Sequence, residues 1–210
     1  MKQLNTLKTK RRGIFLALLL LMAMPMAAQT VGDKFWVGNL RYEVLNVKNR
    51  TVAVTSDLDF GPIPDSEKKN HSAYNGALNE TTITISSNVT DTKYHINWTV
   101  TEIGERALQN EKITGVTFTN NITKIGSCAF LGTTSLTQIN FPSSLRFIEN
   151  GAFSESDLTG AVTIPDNTFI GAEAFRSCVK ITSLDITKVK YLGNACFRNC
   201  SGLSNVTLGC

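Results

Sequence analysis

Five copies of one phrase occupy the second half of the chain: IGERAL, IGSCAF, IENGAF, IGAEAF and LGNACF, opening at Ile103, Ile125, Ile148, Ile170 and Leu192. The openings fall 22, 23, 22 and 22 residues apart. Five residues into each copy stands a large apolar side chain (Leu108, Phe130, Phe153, Phe175, Phe197), preceded by a small one (Ala107, Ala129, Ala152, Ala174, Cys196). Ile113, Leu136, Leu158, Ile181 or Leu203 follows. Each copy then alternates apolar residues at every second position: Val116/Phe118, Ile139/Phe141, Val162/Ile164, Leu184/Ile186 and Val206/Leu208. A unit this short cannot bury its own apolar face, so it must stack on its neighbours as a solenoid.

The period selects the type of solenoid. Repeats of roughly 20–29 residues written L-x-x-L-x-L carry one short strand per coil and a helical or 3₁₀ return. Leu136-x-x-Ile139-x-Phe141 and Ile181-x-x-Leu184-x-Ile186 fit that form. The alternation places one set of side chains inward and the other outward. The G-x-x-A-F piece reads as a short turn of helix, with its Phe driven into the core. The expected fold is therefore α/β, a right-handed leucine-rich-repeat solenoid over residues 102–210.

The phrases IGSCAFLGTTSLTQINFPSSL and IGAEAFRSCVKITSLDI resemble the BspA-like, or treponemal-type, leucine-rich repeats of bacterial surface proteins. That family usually carries Pro after the strand. Pro142 and Pro165 match, whereas Thr119, Thr187 and Gly209 depart. The resemblance implies display at a cell surface and binding of host proteins or neighbouring cells without catalysis. It names no ligand.

Residues 1–28 read as an export signal. Lys2, Lys8, Lys10, Arg11 and Arg12 precede an apolar run from Ile14 to Met24. That run is shorter than the roughly 20 residues that span a bilayer. Cleavage before Gln29 is expected, a retained membrane anchor being the alternative. No Cys precedes Cys128, so no lipoprotein acylation site is expected. The whole chain carries 21 basic against 17 acidic residues. Five of the basic ones lie in the signal, which leaves 16 against 17 and a net charge of −1. A nucleic-acid partner is not expected of that balance.

Residues 29–101 have another texture, rich in Thr, Val, Ile and Asn. KFWV and LRYEVLNV flank Gly38-Asn39 as a hairpin, TVAVT and TTITI read as strands, and residues 61–70 form a loop by composition. The region is expected to be a β-rich cap over the first coil, with an independent binding domain as rival. At the other end the chain stops two residues after the strand of coil five. Either it is a fragment or the open end meets a partner.

Chemistry has few candidates. His71 and His95 lack the spacing of metal ligands or of a general base with its nucleophile. No metal, no cofactor and no enzymatic activity are expected, a hydrolase being the disfavoured alternative. Five cysteines stand at 128, 178, 196, 200 and 210. Cys178 and Cys200 share a column on adjacent coils, which suits either a disulfide or a ladder of buried thiols. N-x-S/T matches occur at Asn49, Asn79, Asn88, Asn97, Asn121 and Asn205, weak signals in a Thr- and Asn-rich chain. The outward column of the concave strand face is Thr117, Asn140, Thr163, Asp185 and Thr207. It is the expected binding face, although it has one charge and no aromatic residue. A merely solvated sheet of Thr is the competing reading.

Overall fold

The computed structural model describes residues 29–38, 40–55 and 82–209. The fold below is that of one compact unit, residues 31–210. Residues 1–28, expected as an export signal, residues 61–70, expected as a loop, His71 and Cys210 lie outside the described residues.

The unit begins with β1 (Lys34–Val37) and β2 (Leu40–Asn46), an antiparallel hairpin entered at Gly38, where φ is +59°. β3 (Thr51–Val54) pairs back on β2 and then, in parallel, with β6 (Asn97–Ile103). From β6 the same sheet climbs through the two-residue strands β8 (Lys124–Ile125), β10 (Phe147–Ile148), β12 (Phe169–Ile170) and β14 (Tyr191–Leu192). Each of these holds the first residue of a repeat phrase. β5 (Asn88–Thr90) pairs antiparallel with the start of β6, at Asn97–Thr99.

The L-x-L segments form the other face. β4 (Thr82–Ile85), β7 (Gly115–Phe118) and β9 (Gln138–Asn140) make one parallel sheet. β11 (Gly160–Thr163), β13 (Ile181–Ile186) and β15 (Asn205–Leu208) make a second. The N-terminal strands supply rungs to both faces, because Val54 pairs with Ile103 and Ile83 with Val116. The region expected as a cap thus continues the ladder of the coils.

One local expectation is corrected. The G-x-x-A-F segments are not helical, and the described residues contain no helix. Three residues into each phrase, Arg106, Cys128, Gly151, Glu173 and Ala195 take φ of 52–62°. Seven residues in, Asn110, Gly132, Glu155, Ser177 and Asn199 take φ of 58–68°. A left-handed residue cannot propagate a right-handed helix. It turns alternate N–H groups along the solenoid instead. Phe130 donates to the carbonyl of Ala152 at 2.7 Å, Phe153 to Ala174 at 2.7 Å and Phe175 to Cys196 at 2.8 Å. The intervening N–H groups close local four-residue turns, such as Ala129 to Gly126 at 3.2 Å. Inter-coil bonds thereby replace helical ones, and each left-handed non-glycine residue costs about 1–2 kcal/mol.

The core is a column of rings. Phe130, Phe153 and Phe175 are fully buried, and successive centroids from Phe130 to Phe197 lie 5.0, 5.3 and 5.4 Å apart, nearly parallel. Ala129, Ala152 and Ala174 are buried beside them. Close stacking of the turns also needs backbone without side chains. A Cβ on Gly193 would stand 2.3 Å from the backbone carbon of Gly171 in the coil before.

Candidate functional site

The outward column is in register within each of the two L-x-L sheets. Thr117 pairs with Asn140, Thr163 with Asp185, and Asp185 with Thr207. All five side chains are exposed. The Asp185 carboxylate accepts from the Thr187 backbone N–H at 3.0 Å and its hydroxyl at 2.8 Å, and these bonds lower its pKa.

Between Asn140 and Thr163 the column is broken. Successive strands pair everywhere on this face except β9 with β11. The cause is local. Coil three places three residues between Leu158 and Val162 where the other coils place two. Gly160 there has φ of +79°, and the register with β13 shifts at the same point. One bond from the Thr159 N–H to the Thr137 carbonyl, 2.9 Å, closes the start of the seam. Beyond it Ile139 and Phe141 are only partly covered, whereas Val162 and Ile164 are buried. The result is a cleft of about 490 Å³. At its rim the Arg146 guanidinium donates to the carbonyls of Ser143 and Leu145 at 2.8 and 2.7 Å, and Asp166 pairs with Lys188 at 3.0 Å.

The aromatic side chains missing from that column stand on the other sheet. Phe147, Phe169 and Tyr191 occupy successive rungs on β10, β12 and β14, and are 47, 37 and 57% exposed. Their centroids lie 5.4 and 6.5 Å apart, with the Lys190 ammonium 5.7 Å from the Phe169 ring. In the first two coils the same column carries Glu102 and Lys124, joined as an ion pair. The signal for this ladder was in the sequence: one aromatic residue immediately before the opening Ile or Leu of coils three, four and five. Attention to the L-x-L strand alone misses it.

Other reactive groups are structurally committed. Cys128, Cys178, Cys196 and Cys200 stand as free thiols in this structure. The Cys178 and Cys200 sulfurs each donate to a carbonyl of the preceding coil, Cys178 to Phe153 at 3.0 Å and Cys200 to Phe175 at 3.1 Å. Burial pushes the Cys178 thiol up to about 12, which leaves it a poor nucleophile. Asp91 is a buried carboxylate. Burial raises its pKa, but bonds from the N–H groups of Tyr94, Ile96 and Lys93 and from the Trp98 indole outweigh this, and the net shift is downward. His95 is exposed, in a turn with φ of +55°. Among the described residues no group of three or more His, Cys, Asp or Glu is placed to hold a metal.

The family model described as the BspA type leucine rich repeat region matches six copies, over residues 63–168 and 101–210. The chain belongs to the BspA-type leucine-rich-repeat family. Solved structures agree on the fold. A leucine-rich repeat protein from Bacteroides capillosus has a TM-score of 0.53 at 23% identity, over 83% of this chain and 97% of that one. The T. pallidum leucine rich repeat protein gives 0.53 at 19%, over 83% and 81%. A leucine-rich repeat protein from Bacteroides ovatus gives 0.55 at 21%, over 82% of this chain but 46% of its own length. No curated protein matches the chain. The BspA-type repeats continue to the strand of coil five. There Leu192, Val206 and Leu208 are 42, 47 and 66% exposed, although their counterparts Ile170, Leu184 and Ile186 are buried. Among the described residues no helix is long and apolar enough to cross a membrane.

Proposed function

We propose that this BspA-type protein is exported, displayed at the cell surface and binds a protein partner, in adhesion to host matrix or to other cells, without catalysis. Its family and fold are consistent with protein–protein interaction. The observation that carries the reading is the exposed ladder of Phe147, Phe169 and Tyr191. Aromatic residues dominate the energetics of protein interfaces, and large apolar side chains aligned on an open sheet mark a contact surface. The outward column from Thr117 to Thr207 is the rival face, and its short polar side chains offer complementarity more than energy. The engagement of Asp91 and the raised pKa of Cys178 support a non-catalytic role.

The test is capture of host matrix proteins, mucins and bacterial surface extracts by chain 29–210. The double variant Phe169→Ser, Tyr191→Ser serves as comparison. Binding lost in that variant and kept in Thr117→Ala, Thr207→Ala supports the ladder. The opposite pattern moves the site to the L-x-L face.

A second reading is favoured by the exposed end of coil five. Leu192, Val206 and Leu208 form a face shaped to receive another coil, which suits an assembly role.

A further inference from the structure

We infer that the protein partner of the Phe147, Phe169 and Tyr191 ladder is acidic, presenting an apolar segment that carries carboxylates. This rests on the ladder as the contact surface and adds the charge of what it contacts. The rings stack along the solenoid at 19° and 32° from parallel, so their faces are turned to one another and their edges to solvent. The edge of an aromatic ring is the positive part of its quadrupole. A row of edges therefore favours carboxylates, or the faces of other rings, over cations. Beside the row runs a groove of about 380 Å³, lined also by Ile148, Asn150 and Gly171, which gives apolar side chains of a partner a place against the rings.

The charges around the ladder point the same way. Glu102 pairs with Lys124 at 2.5 Å. Glu149 accepts from the Ser127 N–H and hydroxyl and lies 4.0 Å from the same ammonium. Asp166 pairs with Lys188 at 3.0 Å. Against these three carboxylates stand four cations, and the surplus sits at the two that have no carboxylate partner. Arg146, immediately before Phe147, donates only to neutral backbone carbonyls, and the Lys190 ammonium, immediately before Tyr191, has the Phe169 ring alone. Their backbones lie two rungs apart, about 10 Å at the usual strand spacing. Opposite charge on the partner is thus matched at both ends of the ladder. An anionic lipid surface fits less well. Residues 29–210 carry 16 basic against 17 acidic residues, and two cations fall short of the cluster of about four to eight that holds a protein at such a bilayer.

The experiment uses ¹⁵N-labelled chain 29–210, which contains all of the described fold. Three capped peptides of one apolar pattern are titrated, acetyl-EFLEFE-amide, acetyl-QFLQFQ-amide and acetyl-KFLKFK-amide, with phosphatidylglycerol vesicles in parallel. The expected result is a saturable shift of amides at 146–149, 169–171 and 190–193. The acidic peptide should bind about tenfold more tightly than the neutral one, and the basic peptide most weakly. Raising NaCl to about 0.5 M should remove that preference. Arg146→Gln, Lys190→Gln should abolish it and leave the neutral peptide's affinity unchanged. Phe169→Ser, Tyr191→Ser should abolish binding of all three. Equal affinity for the acidic and neutral peptides at these amides overturns the charge inference and leaves the ladder standing as a contact surface. A preference that survives in the glutamine variant overturns it too. Shifts confined to other residues, or absent with every peptide, also overturn it, and capture by the ladder variant then decides the contact surface on its own. Vesicles that shift these amides where the acidic peptide does not replace the protein partner by a lipid surface.

Discussion

Phe153 sits between two parallel rings and is wholly buried, so its removal leaves a cavity that neither neighbour can fill. Phe153→Ala is expected to cost about 3–5 kcal/mol in denaturant unfolding. Thr163→Ala, on the exposed face, should change stability by no more than about 0.5 kcal/mol. Equal losses would mean that the inward and outward columns are exchanged. Asp91 makes a different kind of contribution. Its carboxylate gathers three backbone N–H groups and the Trp98 indole, and its folded pKa is depressed. The stability it supplies is fully present above the unfolded pKa, about 3.9. It is lost as pH falls through the lower folded value. Asp91→Asn turns one acceptor into a donor facing donors, and should cost about 2–3 kcal/mol at pH 7. The variant should also show a smaller loss of stability between pH 5 and 2 than the parent chain, measured by urea midpoints. A variant with an unchanged acid limb would remove Asp91 from that role. Nothing in its sequence context marked Asp91, because its donors are backbone groups of the turn that follows it.

At the level of elements, what could be read in advance follows from side-chain periodicity. The positions of β7, β9, β11, β13 and β15 were legible because alternate apolar residues leave a period of two. The column of rings was legible because Phe recurs at one offset. The return segment was misread as helix because its defining property is backbone φ, and only Gly132 and Gly151 of its ten left-handed positions are glycine. The seam was hidden for a similar reason. Gly160 reads as an ordinary residue until the missing β9–β11 pairing shows what it does. The turn assignment gives a sharp test in coils four and five. Ala195 has φ of +55°, so Ala195→Gly should stabilise the chain by about 0.5–1 kcal/mol, as relief of the left-handed penalty outweighs the added chain entropy. Ala174 is fully buried, with no left-handed φ to relieve, so Ala174→Gly should destabilise by about 1 kcal/mol or more. In a helix both changes would destabilise by about 1 kcal/mol. Thermal melts showing equal losses would restore the helical reading.

For the described unit as a whole, the first and last rungs differ in how they are covered. At the first coil β3 and β4 supply a rung to each face, and β1 and β2 extend one sheet beyond it. Among the described residues no strand pairs with the outer side of β14 or β15, and Leu192, Val206 and Leu208 are exposed where counterparts one coil earlier are buried. Among the described residues Phe197 stacks on Phe175 alone. Covering apolar surface is worth about 25 cal/mol per Å², and open strand edges add unpaired backbone groups to the same face. Chain 29–210 is therefore expected to self-associate through this end. Contact between two copies of one face is isologous and closes at a dimer. Leu208→Lys puts a charge into the contact and should weaken the dimer, since an unpaired buried charge is costly. Thr207→Lys, on the outward side of the same strand, should leave it intact. Sedimentation over a concentration series separates these outcomes, and hydrogen exchange at 203–208 should slow as the dimer forms. A monomer at every concentration, with coil five protected as well as coil three, would show that this face is stable uncovered and would end the assembly reading.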